Sequence, residues 1–134
     1  MYEIWISAPE GEDPKKGVAT YARLGFPGAV GSSDDTHVRW DKAPASRTVY
    51  YTSNEGFPSI AYQVAVDHTG CALAMTAGFA GATDDKTIVC YDPSVDRVKT
   101  HEAYTQMEYT LADSERRELT EKGGYRVVDG GYHQ

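Results

Sequence analysis

Two aspartates occupy positions from which a folded chain could use them as ligands. The first lies in Gly31-Ser32-Ser33-Asp34-Asp35-Thr36-His37-Val38, the second in Val127-Val128-Asp129-Gly130-Gly131-Tyr132. In each, an apolar segment ends in an acid followed by small or flexible residues. A carboxylate at the end of a core strand is held by a stiff sheet yet still meets solvent. If two such strands are neighbours, both carboxylates face one crevice and repel each other unless divalent cations sit between them. Hard oxygen ligands of this kind suit Mg²⁺ or Mn²⁺, ions that activate a water and stabilise a leaving oxygen in phosphodiester chemistry. The spacing leaves open whether the strands are neighbours. Paired aspartates, and an aspartate before Gly-Gly, also make turns and helix caps. His37 and His133 each fall near one of the acids, as candidate metal or phosphate contacts or as ordinary surface histidines.

The elements that would position these acids can be read along the chain. The stretch to about Gly17 mixes Pro, Gly, Asp and Lys and reads as a loop after a short apolar start. Residues 18–24 predict a short helix stopped by Gly25-Phe26-Pro27-Gly28. A short buried strand over 29–33 leads into Asp34, since small residues and Val30 suit a crowded sheet centre. Residues 41–57 read as an irregular excursion holding a short strand at 48–51. Ile60 to Val66 is the clearest strand, rich in β-branched and aromatic residues. The Asp67-His68-Thr69-Gly70 turn then predicts a hairpin with 71–75.

Acids at Asp84 and Asp85 predict a helix start, where free N–H groups and the dipole favour negative charge. Residues 113–122 predict a further helix, with Asp113–Arg117 and Glu118–Lys122 as i,i+4 pairs and Gly123-Gly124 as its stop. Residues 125–128 predict a closing strand. This order of strand, hairpin, helical segment and strand implies an α/β fold, a mixed sheet with helices packed on it.

The totals bound the function classes. At 134 residues the chain suits one domain. Its 40% apolar and 25% charged content places it with folded proteins rather than disordered ones. A net charge of -7 opposes unaided binding to a polyanion, so a nucleic-acid substrate would need metal ions or another chain to hold it. No apolar run is long enough to span a membrane, and the start at Met1-Tyr-Glu-Ile-Trp-Ile-Ser7 lacks the pattern of a signal peptide. Cys71 and Cys90 have no metal-binding spacing and read as reduced, partly buried thiols of a cytosolic or nuclear protein. Lys15-Lys16 and Arg116-Arg117 are pairs rather than a basic stripe, and Trp40 and the tyrosines read as packing residues rather than base-stacking ones.

Residues 25–40, Gly-Phe-Pro-Gly-Ala-Val-Gly-Ser-Ser-Asp-Asp-Thr-His-Val-Arg-Trp, resemble the first-aspartate block of PIF/Harbinger-type DDE transposases, G-x-P-G-x-x-G-x-x-D-x-T-H-[IV]. The match assigns the first acid to Asp34, with Thr36, His37 and Val38 following in pattern; His37 and the adjacent Asp35 are supporting candidates. Residues 57–67 resemble the family's second strand. Residues 79–88 resemble its G-x-x-x-D motif, with the motif aspartate at Asp85. Residues 125–132 resemble the second-acid block, D-x-x-Y, with that acid at Asp129. Each motif is weak alone, and four in order are a more specific signal. The resemblance covers residues 25–134 and leaves 1–24 as an N-terminal segment with a loop and a short helix.

The resemblance implies an RNase H-like fold, with the first acid mid-sheet on strand one and the second ending strand four beside it. It implies a divalent cation, Mg²⁺ or Mn²⁺, bound by Asp34 and Asp129, and DNA as substrate. Water would attack a phosphodiester, and a 3′-OH would then attack target DNA. A nuclear site of action and a separate DNA-binding helper protein are implied as well. One departure stands out. The family's third acid, a glutamate on a later helix, is expected beyond Asp129, and the sequence holds no glutamate there, so the catalytic domain is expected to be partial. Glu115 and Glu118 precede the second acid and are poor substitutes. A catalytically inactive domain acting through protein interaction is therefore the alternative expectation. An unrelated small α/β domain, whose aspartates are caps and turns, is a third; it predicts no adjacency between Asp34 and Asp129.

Overall fold

The computed structural model describes residues 13–129. The expected loop over the first twelve residues, the Gly130–Tyr132 part of the second-acid block and His133 lie outside them. Helix α1 (Asp13–Arg23) begins earlier than expected. It ends where expected, on Gly25 at φ 95°, with the Phe26 N–H donating back to the Tyr21 carbonyl at 2.9 Å.

Strand β1 (Ala29–Arg39) does not stop at Asp34 but runs through it. Its odd-numbered residues Ala29, Gly31 and Ser33 are buried, while Asp34, Thr36 and Val38 on the other side are exposed. After the excursion and a four-residue helix α2 (Thr48–Tyr51), strand β2 (Ser59–Val66) pairs antiparallel with β1 from Ser32–Val66 to Arg39–Ser59. Strand β3 (Ala72–Met75) returns beside β2 as the expected hairpin. Asp67 ties its turn, with one carboxylate oxygen accepting from Thr69 N–H at 2.7 Å, Thr69 Oγ1 at 2.6 Å and Cys71 N–H at 3.0 Å. A two-residue strand β4 (Phe79–Ala80) extends the far side of β2.

Three helices follow: α3 (Asp85–Cys90), α4 (Pro93–Thr100) and α5 (Glu102–Thr105). Strands β5 (Glu108–Ala112) and β6 (Glu118–Lys122) form a separate two-stranded sheet. Strand β7 (Tyr125–Val127) then inserts parallel to β1, giving the order β3-β2-β1-β7. The expected mixed sheet is present. Helix α1 lies on one face, where Tyr21 Oη donates to Ser32 Oγ at 3.3 Å. Helices α3 and α4 lie on the other. There Phe79, paired with Ala61, meets the Tyr91 ring, and Ser94 approaches Ser33 across Arg126.

Three expectations are corrected. Residues 113–122 form the turn and second strand of a hairpin rather than a helix. The Asp113 carboxylate accepts from the N–H groups of Glu115 and Arg117, each at 2.8 Å, and from Arg117 Nε at 2.8 Å. The Asp113 N–H donates to the Arg117 carbonyl at 3.0 Å, and Arg116 sits at φ 61°. This is a three-residue hairpin turn with a left-handed third position. The Asp–Arg pair that would support one helix face instead closes a turn, because aspartate oxygens compete for local backbone donors. Packing decides the matter: Tyr109 on β5 docks on Tyr125 and covers Gly28, where a Cβ would collide with its ring.

Residues 48–51, expected as a strand, are helical. Their N–H groups bond back to 44 and 47, and the exposed Val49 and Tyr50 find no sheet to pair with. Cys71 and Cys90, expected as partly buried, are both exposed and in no disulfide. Among the described residues no helix is long and apolar enough to cross a membrane.

Two outcomes are expected. Arg116→Gly, which relieves a left-handed non-glycine residue, should raise the unfolding free energy by about 0.5–1 kcal/mol in urea denaturation. Three turn or cap carboxylates are held below the usual range: Asp67 and Asp84 chiefly by the hydroxyls of Thr69 and Thr87, and Asp113 chiefly by the Arg117 N–H. Their stabilising contributions should be complete above the unfolded carboxylate range and lost as pH falls below about 4, through the depressed folded values. Urea midpoints measured between pH 6 and 3 would check this.

Candidate functional site

Asp34 sits mid-strand on β1, opposite Val64, and is exposed. Its Oδ1 accepts from the Asp35 N–H at 2.9 Å. Beyond Ser32, its face of β1 carries only exposed residues, and Val38 is 53% accessible. On the other side of β1, Ser32 pairs with Val127 of β7. Each strand direction reaches its aspartate two residues further on, Asp34 in one and Asp129 in the other. Asp129 is exposed as well.

The remaining sequence candidates do not share that face. Residues paired directly across a sheet share a face, and neighbours along a strand do not. Asp35 pairs with Gln63 and His37 with Ala61, on the side covered by α3 and α4. His37 is half-buried, with Nδ1 at 2.9 Å from Ser59 Oγ, so it ties β1 to β2. Asp85 opens α3, and the cap belongs to Asp84, whose carboxylate accepts from the Thr87 N–H at 2.9 Å and Oγ1 at 2.7 Å. The glycine of the G-x-x-x-D motif, Gly81, has a packing reason: a Cβ there would collide with the Tyr51 carbonyl and with Ser59. Among the described residues no three His, Cys, Asp or Glu side chains gather closely enough to hold a metal ion.

The sequence reading missed a buried polar cluster behind Asp34. Arg126 Nη1 donates to Ser94 Oγ at 2.8 Å and Ser33 Oγ at 3.3 Å, and lies 3.4 Å from Asp92 Oδ2; Nη2 donates to the Ser94 carbonyl at 3.1 Å. The side chains of Arg126 and Asp92 are 13% and 3% accessible. Burial pulls the guanidinium pKa down, and the Asp92 carboxylate opposes that pull. Asp92 also caps α4, accepting from the Ser94 N–H at 2.8 Å and from the Ser94 hydroxyl. The available signals were an arginine inside an apolar strand and the Asp92-Pro93-Ser94 helix start. On the same face, Gln63 is 1% accessible, and its side-chain amide has no hydrogen-bond partner among the described residues.

A cavity of about 780 Å³ lies toward the start of β1, with Val18, Tyr21, Leu73, Val98, Met107 and Tyr109 among its walls. Neither Asp34 nor Asp129 lines it.

Residues 33–122 match the family model of a DDE superfamily endonuclease domain, about two-thirds of the chain. The chain belongs to this family. The matched stretch of the DDE endonuclease domain contains Asp34 and ends before β7 and Asp129. No curated protein and no solved structure matches the chain.

In this endonuclease domain two of the buried polar side chains, Asp92 and Gln63, should respond oppositely. Asp92→Ala leaves a buried guanidinium without its carboxylate and should cost about 3 kcal/mol. Gln63→Met replaces an unsatisfied amide with an apolar chain of similar length and should be neutral or stabilising by about 1 kcal/mol. Urea denaturation of both variants measures the contrast.

Proposed function

We propose that the chain is the core of a PIF/Harbinger-type DDE endonuclease or transposase, with an RNase H-like sheet and a divalent-cation site built on Asp34 and Asp129. The observation that carries this reading is the strand order. Three antiparallel strands with a parallel strand beside the first are compatible with an RNase H-like arrangement and support this reading. β7 pairs with β1 up to Ser32–Val127, two residues short of each aspartate, and a register carried on at that step would set the two acids level. Family membership, which implies an endonuclease acting on DNA, supports it independently.

The donor set fits Mg²⁺ or Mn²⁺. Both side chains are exposed hard carboxylates, Asp34 on a sheet face and Asp129 just past the end of β7, and Mg²⁺ is commonly held by one or two protein carboxylates while keeping several waters. Such an ion, when bound, supplies water activation and charge stabilisation at a phosphodiester. The chain's own contribution is positional. Strand β1 is held by β2 at Asp34 and by β7 from Ala29 to Ser32, and β7 leads toward Asp129, two residues past its end. The open face from Asp34 to Val38 gives a phosphate backbone room to approach. The net charge of -7 disfavours DNA binding by this chain alone, so the reading includes cations at the site and a separate DNA-binding helper, with action in the nucleus.

A second reading, a catalytically inactive domain acting through protein contacts, draws on the lack of any three-donor group among the described residues. Mn²⁺ calorimetry on the folded chain separates the two. The metal-site reading expects binding that weakens by roughly tenfold or more in both Asp34→Asn and Asp129→Asn. A folded chain that binds no Mn²⁺, or whose binding survives either substitution, overturns that reading and leaves the inactive one.

A further inference from the structure

The seam between β1 and β7 contains an irregularity that bears on the aspartate pair. Tyr125 pairs with Ala29, but the next residue, Arg126, pairs with Gly31, and Val127 with Ser32. β1 therefore passes one extra residue, Val30, across a single step of β7. Without that bulge, Tyr125–Ala29 would lead to Val127–Gly31, and Asp129 would come level with Ser33. Ser33 belongs to the buried face, and a one-residue slip moves every side chain of a strand to the other face. With the bulge, the register carried two residues past Ser32–Val127 would bring Asp129 level with Asp34 on the exposed face.

Arg126 is the first residue after the bulge. Its guanidinium reaches forward along β1 to Ser33 Oγ at 3.3 Å and outward to Ser94 and Asp92 at the start of α4. β7 itself is only three residues long, so its own ladder gives the register little support. In the shifted register the fixed fork of the guanidinium has partners on β1 and α4 together. The exposed thiols and the unsatisfied Gln63 amide offer no comparable link to the acids.

We infer that Arg126 is a positioning residue: through Ser33 and the Asp92–Ser94 helix start it locks the bulged β1–β7 register that aligns Asp129 with Asp34. This inference rests on the proposed metal site, since it concerns the alignment of that site's two ligands. Groups that orient metal ligands without touching the ion typically carry 10- to 100-fold in affinity.

The test is Mn²⁺ affinity by calorimetry, well below the melting temperature, on the wild-type chain and on Asp34→Asn, Asp129→Asn, Arg126→Met, Ser33→Ala and Asp113→Ala. Circular dichroism verifies that each is folded. Arg126→Met is expected to lose roughly tenfold or more in affinity. Ser33→Ala, which removes one hydrogen bond and keeps the core filled, is expected to lose affinity several-fold. Asp113→Ala weakens the distant β5–β6 turn and is expected to bind as the wild type does, so general destabilisation is controlled. If Arg126→Met does not fold, Ser33→Ala decides. Folded Arg126→Met and Ser33→Ala that bind like wild type, while the aspartate variants do not bind, overturn the positioning role and leave the metal site standing. A wild-type chain without Mn²⁺ binding, or binding indifferent to Asp34 and Asp129, overturns both.

Discussion

The parallel seam between β1 and β7 is the constraint on which the arrangement depends. An antiparallel hairpin sets its own register through its turn, as Asp67 does for β2 and β3. A parallel pair has no such device, because its strands come from distant parts of the chain. Here they are separated by four helices, the β2–β3 hairpin, the short β4 and a second small sheet. The loop-closure entropy of that separation is offset by contacts that gather several elements at once. The buried Arg126 cluster is the most connected of them, joining β7, β1 and α4. A buried ion pair is weak evidence for net stability, because desolvation offsets much of the attraction. Its value lies in selecting one register over its neighbours.

The same sheet divides the chemistry of the family motif between two faces. Asp34 and Thr36 face outward, while Asp35 and His37 face the helices. A run of four polar residues that looks like one functional cluster in sequence is, in a strand, two half-clusters on opposite sides. His37 bonds Ser59, and Gly81 makes room for that same serine's strand. Two of the motif positions that suggested a site thus have packing explanations. The motif serves recognition of the fold as much as recognition of its chemistry, which is consistent with a family match that spans Ser33 to Lys122 and stops short of the second aspartate.

The hairpin of β5 and β6 illustrates how local signals mislead. Asp113 and Arg117 satisfy both the helix pairing rule and the turn that actually forms. Strand β5 turns only Tyr109 and Leu111 inward, and every residue of β6 is exposed. What separates the outcomes is Tyr109, which lies between Gly28 and Tyr125 and so needs β1 and β7 already in place. A hairpin whose decisive contact is tertiary leaves little trace in its own sequence.

By itself the sequence determined the elements whose signals are local. The Gly25 stop of α1, the β-branched run of β2, the Asp67 turn and the acidic start of α3 each follow from backbone freedom, side-chain shape or capping within a few residues. It also marked Asp34 and Asp129 as acids carried on or just beyond strands, and the glycine-rich motifs that accompany the family. Tertiary structure alone decided what those acids face. Asp34 takes the side of β1 away from α3 and α4, and the register of β7, the strand that leads to Asp129, follows from a single extra residue in β1 opposite Arg126. Alternation has a period of two, so an acid's face depends on register, and the register of a parallel strand is set by partners far away in the chain.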